Sequence, residues 1–252
     1  MIHVQQAFIA LPGTTHTLKS ISEHSDLDPS VVYRILQSAI EKGAIERVSR
    51  GRYRLGSSVA GAGLHAMAGL YGSLDQHHVL VELQRKAGGM ALLYALASPG
   101  ARRVCIDHAL GDYSFSDFGI SPSDVFTVGY SLRVGASGRT LLAFAPESLQ
   151  QLVLSEEVPS EAGPGALHNA ELISSLADIR TRGYAIGYEE CVAGWDSVAV
   201  PVLWGNVVFG VVLLLMPSAD LQANLTEHIE HVRHAAQLIS NASTDSTHTT
   251  AA

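Results

Sequence analysis

Four residue patterns in this chain could do chemistry. Gly135-Ala136-Ser137-Gly138 sets one hydroxyl among small residues, as a serine nucleophile needs. It departs from the G-x-S-x-G elbow, because Arg139 stands two places after Ser137. No histidine and acid are placed by spacing to activate that serine. A glycine-rich loop ahead of a helix is better suited to offer backbone N–H groups to an anion or polar ligand, or simply to turn tightly. His228, His231 and His234 recur every three residues beside Glu227. Over that spacing they drift around roughly a third of a helix. Two could meet one metal ion, but a solvated helix face is the simpler reading, as it is for His77-His78. Cys191 follows Glu189-Glu190 and could be redox-active, although a small buried thiol explains it better. These patterns assign no catalytic residue, metal or cofactor, and the expectation is a protein that is not an enzyme.

The fourth pattern is cationic. Residues 1–56 hold seven of the 16 Lys and Arg but only five of the 24 acids, a net of +2 on a chain of net charge -8. Such asymmetry suggests one polyanion-binding module on an otherwise acidic protein. Four of these cations, Arg47, Arg50, Arg52 and Arg54, fall within eight residues.

The elements that must position them can be read from spacing. Val4, Phe8 and Leu11 predict a helix that Pro12-Gly13 ends. Thr17 is a fitting cap for a second helix with Leu18 and Ile21 inward. Pro29 opens a third, whose stripe is Val32, Ile35, Leu36, Ala39 and Ile40, and Gly43 stops it. Its other face carries Ser30, Tyr33, Arg34 and Gln37. Ile45 to Val48 and Arg52 to Leu55 predict two strands joined through Ser49-Arg50-Gly51, where glycine can take positive φ. Three helices and a hairpin make a winged helix-turn-helix. Its third helix suits the major groove and its cationic wing suits phosphates. Tyr33, Arg34 and Gln37 are the candidates to face the bases, with Arg34 or Gln37 reading base edges; Thr17, Lys19, Ser30, Arg50 and Arg52 are the candidates to hold phosphates.

The sequence resembles the IclR family of bacterial transcription regulators. The resemblance lies in Thr17-Leu18-Lys19, in the run from Leu27 to Leu36, and in Gly51-Arg52-Tyr53-Arg54-Leu55-Gly56. It continues through Gly138 to Ala143, Arg182-Gly183-Tyr184-Ala185, Glu189-Glu190 with Gly194, and Val198 to Val202. The family usually has Lys before the recognition-helix serine and Thr after it. Pro29 and Val31 stand here, so the base preference should differ. The resemblance implies a homodimer or dimer of dimers on a partly palindromic double-stranded operator, with repression the commoner role.

Residues 57–72, with Ala60, Leu64, Met67 and Tyr71 at a/d-like spacing and three glycines, read as a linker helix needing a partner, or as an ordinary buried helix. Residues 73–242 alternate between helices and strands. Val79, Leu80 and Leu83 predict a helix ended by Gly88-Gly89. Met90 to Ala97 and Arg102 to Ala109 predict strands paired around Ser98-Pro99-Gly100. Val125 to Tyr130 predicts another strand, and Thr140 to Phe144 opens a helix. Leu172, Leu176 and Ile179 predict a further helix. Val198 to Leu203 and Val207 to Leu215 form a hairpin through Trp204-Gly205-Asn206, and Leu221 to Ile239 closes the domain as one helix. This is an α+β architecture. The resemblance implies a GAF-like effector-binding fold for residues 73–242. Residues 243–252 read as a disordered tail.

The resemblance also implies an effector pocket at Ala136, Ser137, Gly187, Trp195, Ser197, Leu213 and Leu215. The relative underlying that assignment binds small carboxylic acids, with an acid matching Gly187 and hydroxyls matching Leu213 and Leu215. Leucines and a tryptophan would leave a small buried carboxylate poorly paired, at a cost of several kcal/mol. The expected effector is larger or more apolar, aromatic or lactone-like, with Ser137 and Ser197 as polar anchors. No apolar run approaches the roughly eighteen residues of a membrane span, and no cationic-then-apolar leader opens the sequence. With two cysteines, the expected location is the cytoplasm. Two alternatives stay open: an interaction module that never touches DNA, and an enzyme.

Overall fold

The computed structural model describes residues 2–68, 74–97, 101–118, 130–205 and 207–245 of the 252-residue chain. They fall into two compact units, the first chiefly residues up to 72.

The first unit contains α1 (Ile2–Ala10), β1 (His16–Thr17), α2 (Leu18–Ser25), α3 (Pro29–Glu41), β2 (Ile45–Ser49) and β3 (Arg52–Leu55), followed by α4 (Ser57–Ala68). Val4 and Phe8 of α1, Ile21 of α2, and Val32 and Leu36 of α3 are buried in one core, with Ile45 and Tyr53 of the hairpin closing it. Thr17 caps α2: its hydroxyl accepts the Ser20 N–H at 3.1 Å, and Ser20 returns a bond to the Thr17 N–H at 3.0 Å. Asp28 caps α3, with Pro29 at the first helical position. Gly51 turns the wing with φ +73. The arrangement is a winged helix-turn-helix. Its sheet has three strands, not the expected two, because β1 pairs with β3, His16 opposite Tyr53. Two residues are too few for a periodicity to register.

His16 is 5% exposed, its ring edge-on to Phe8 at 5.4 Å, and its Nε2 has no hydrogen-bond partner among the described residues. Burial, reinforced by the Arg52 charge and opposed by a backbone hydrogen bond at Gly13, holds its pKa below the ordinary 6.5. The unfolded chain therefore binds this proton more readily. The stability of the unit is complete above pH 6.5 and declines as the pH falls below it, toward the folded pKa. Amide hydrogen exchange in α1–α3 should accelerate more between about pH 7 and about pH 5.5 in the wild type, after correction for intrinsic rates, than in His16→Phe. Equal behaviour of the two proteins would remove His16 from the account.

The second unit contains α5 (Leu74–Ala87), β4 (Met90–Ala97), β5 (Arg102–Ala109), a 3-10 turn (Phe115–Phe118), β6 (Tyr130–Ser131), α6 (Ala136–Ala143), α7 (Glu147–Ser155), α8 (Asn169–Arg182), β7 (Ala185–Tyr188), β8 (Trp195–Trp204), β9 (Val207–Pro217), α9 (Ser218–Ala223) and α10 (Leu225–Asp245). The strands form one antiparallel sheet in the order β6-β5-β4-β9-β8-β7. Helices α5 and α10 contact one face, and α6 lies on the other with α8 against it. With both faces covered, the central strands read as nearly continuous apolar runs. Along β9, Val211, Leu213 and Leu215 share the core of the α6 face, while the alternating Val212, Leu214 and Met216 are buried outside that core. This is the α+β, GAF-like fold expected.

Three helical boundaries differ from expectation. Helix α6 starts at Ala136 rather than Thr140, so most of the glycine-rich segment is its first turn. The closing helix is two helices, broken at Asn224, whose φ of -136 and ψ of 40 are not helical. Helix α10 runs on to Asp245, into the expected tail. Helix α7 was not anticipated. The Ser98-Pro99-Gly100 turn, Tyr71, and residues 125–129 of an expected strand lie outside the described residues, as does everything after 245; Tyr130 pairs with Arg103.

A candidate effector cavity and nucleic-acid interface

On the α6 face of the second unit lies a cavity of about 390 Å³. Its floor follows the pleat. Gly187, Ser197, Leu215 and Met90 sit side by side in register across β7, β8, β9 and β4, with Ala199, Leu213 and Leu92 in the next inward row. Ala136, Ser137, Trp195, Ser197, Leu213 and Leu215, all expected pocket residues, line it together. Gly187 does not. A Cβ there would meet Ser197 Oγ at 2.8 Å and the Ala136 nitrogen at 3.1 Å, so the missing side chain lets the first turn of α6 settle onto the sheet.

The cavity also has walls the sequence reading passed over. Tyr94, Phe115 and Tyr130 supply aromatic surface, and Tyr113 packs edge-on against Trp195 at 5.2 Å. Arg102, Arg103, Glu161 and Glu190 are the charged residues along it among those described. Glu190 is 3% exposed and fully engaged. It forms a buried ion pair with Arg139, whose Nε lies 3.2 and 3.1 Å from its two oxygens, and it accepts the Gly135 N–H at 3.0 Å. Arg139 also donates to the Ile186 carbonyl at 2.6 Å. The glycine-rich segment thus spends its first N–H internally. A wall of the cavity, Pro159 to Ala162, is fastened to the same turn. The Gly163 N–H donates to the Glu190 carbonyl at 2.9 Å and the Gly165 N–H to the Glu189 carbonyl at 3.1 Å. Both partners of the ion pair stand in motifs evident from sequence, but nothing in a spacing of 51 residues joins them.

Among the described residues no histidine lines the cavity, so none stands beside Ser137 there as a base. Cys191 is exposed rather than buried. Its sulfur has nonetheless lost water, which raises the thiol pKa, with Glu190 adding to the rise and Arg103 opposing it. Burial pushes the Cys105 thiol up to about 12. Neither thiol has the depressed pKa of a reactive thiolate. The histidine series on α10 is not a solvated face: His228 is buried, His231 lies 3.9 Å from Glu227, and only His234 is exposed. Among the described residues no three His, Cys, Asp or Glu are grouped to hold a metal ion.

In the first unit, Tyr33 and Arg34 are exposed on α3 and Gln37 is half-buried. Ser30 shares their face, but both its N–H and its hydroxyl bind the capping Asp28 carboxylate, at 2.8 and 2.6 Å. Those bonds hold the Asp28 carboxyl below its usual range. Thr17 spends its hydroxyl on the α2 cap, and Lys19 lies 3.8 Å from Glu23. On the wing, Arg54 is committed to Glu46 at 2.7 Å. Arg47, Arg50 and Arg52 are exposed and have no acidic partner among the described residues.

Residues 127–241 match the sequence profile of the bacterial transcriptional regulator IclR C-terminal domain. That stretch of the chain thus resembles the C-terminal domain of IclR regulators. It is 27% identical over 241 residues to the transcriptional regulator XynR of Escherichia coli, covering 91% of this chain and 90% of that one. Its fold matches the IclR of Thermotoga maritima with a TM-score of 0.58, at 23% identity and 96% of each chain. It also matches an IclR homolog of Microbacterium hydrocarbonoxydans in complex with 4-hydroxybenzoate, with a TM-score of 0.56 at 23% identity and 95% of each chain. The chain is thus similar to transcription regulators of the IclR type.

Proposed function

We propose that this protein is a transcription regulator of the IclR type that binds double-stranded operator DNA through α3 and the wing, as a homodimer or dimer of dimers in the cytoplasm. A small, largely apolar effector held in the cavity alters that affinity. The observation that carries the reading is the pairing of an exposed α3 face bearing Tyr33 and Arg34 with three exposed wing arginines that have no acidic partner among the described residues. Phosphate contacts made by such arginines position the protein, and contacts from α3 specify the sequence. The effector works by binding one arrangement of the protein better than another. Repression is the role we assign it, without catalysis by the C-terminal unit. No helix among the described residues is long and apolar enough to cross a membrane.

Fluorescence anisotropy with labelled duplex from upstream of the chain's own gene tests the reading. Tight, salt-sensitive binding that exceeds binding to scrambled duplex is expected. Affinity no greater than that of a neutral control protein at low salt would refute it. Arg50→Ala should weaken binding to every duplex alike and reduce the salt slope by about 1, the signature of one lost phosphate contact. A change confined to one sequence would instead place Arg50 at a base.

A further inference from the structure

The cavity contains a charge that an apolar occupant alone would leave unanswered. Arg103, on β5, is 5% exposed and lines the cavity. Its guanidinium lies 5.4 Å from the centre of the Tyr94 ring and 5.8 Å from that of Tyr130, both cavity walls. One terminal nitrogen donates to the Ser131 carbonyl, and the side chain also bonds to Cys191. Among the described residues its Nε has no hydrogen-bond partner, and no carboxylate lies within ion-pairing distance of it. Glu190, the buried acid nearby, is saturated by Arg139 and the Gly135 N–H. Glu161 lines the cavity but is exposed to solvent. Ring faces soften the burial of a guanidinium but do not replace an anion. Arginine is also the side chain whose planar fork best matches a carboxylate.

Resting on the effector reading above and deepening it, we propose that Arg103 is the anion anchor of the cavity. The effector is then an aromatic monocarboxylate, its carboxylate beside Arg103 and its ring among Tyr94, Phe115 and Trp195. The apolar character expected of the occupant describes its body, while its charge is met by a residue from a strand outside the expected pocket set. Arg102, exposed nearby, adds favourable potential without direct contact.

Matched acid and amide pairs separate charge from shape. Isothermal titration of the full chain with phenylacetate against phenylacetamide, and indole-3-acetate against indole-3-acetamide, should show at least one acid binding about tenfold or more tightly than its amide, as expected for a charge-assisted pair. Arg103→Gln should abolish that preference, and Arg103→Lys should restore part of it. Should Arg103→Gln fail to fold, as its circular dichroism would reveal, the wild-type acid-to-amide ratio and the Arg103→Lys variant still decide the matter. An amide binding as tightly as its acid, or an acid preference unchanged in Arg103→Gln, overturns the anchor while leaving an apolar effector site intact. Failure of every acid and amide to bind at millimolar concentration overturns both the anchor and the aromatic class. Unaltered operator binding in the presence of a bound acid would count against the effector reading alone.

Discussion

Replacing Arg139 by alanine is expected to destabilise the C-terminal unit by about 3–5 kcal/mol. Glu190 is almost wholly buried and takes its compensation from the Arg139 guanidinium and one backbone N–H. Removing the arginine strands a carboxylate where water cannot reach it. It must then take up a proton or pull the structure open, and either costs far more than the loss of an exposed pair. Whole domains are stable by only about 5–15 kcal/mol, so this single change approaches the limit of folding. Both tryptophans, Trp195 and Trp204, lie on β8, so tryptophan emission reports this unit selectively during urea unfolding. The double variant Arg139→Met with Glu190→Gln should recover much of the loss, because it removes both charges. A midpoint for Arg139→Ala within about 0.5 kcal/mol of wild type would mean that the pair is not holding α6 to the β7–β8 turn.

Arg34→Glu is the second large effect, and it leaves stability alone. The residue is exposed on α3 and takes no part in the core of its unit, so the thermal midpoint should not move. A bidentate contact to a guanine is worth about 1–3 kcal/mol, and the reversed charge adds repulsion from the phosphates. Together they should lower operator affinity by about 100-fold or more and bring it into the range of non-specific binding, roughly 10⁻⁴–10⁻⁶ M. Anisotropy with operator and scrambled duplex side by side reads both limits. Retained preference for the operator in Arg34→Glu would move recognition to other residues of α3.

What could be read from the sequence follows from where physical constraints are local. The cap at Thr17, the start of α3 at Pro29 with its stripe, and the wing turn at Gly51 are set by neighbours within a few residues, and they stand where spacing puts them. The apolar runs from Met90 to Ala97 and from Val207 to Leu215 read as strands, and β4 and β9 stand there. Short or irregular pieces escaped. β1 has two residues, and the break at Asn224 interrupts an otherwise continuous helical pattern. For the cavity, family resemblance pointed to residues on β8, β9 and the first turn of α6, which line it together. It missed Arg103 and Tyr94, because their place depends on β5 and β4 joining that sheet beyond β9. A cation two strands away has no signature in a linear spacing. Gly187, which the resemblance placed in the pocket, does not line the cavity; a Cβ there would meet the Ser197 hydroxyl and the Ala136 nitrogen.

Glu190 carries two duties at once. Its side chain tethers the start of α6, and its carbonyl carries one of the fastenings that hold the Pro159–Ala162 wall. The two sides of the chamber are therefore knotted through a single residue. An occupant that shoulders either side aside must tug on the other, so the chamber yields as a whole or scarcely at all. Evolution of a roomier chamber would have to retie that knot before it could enlarge the space.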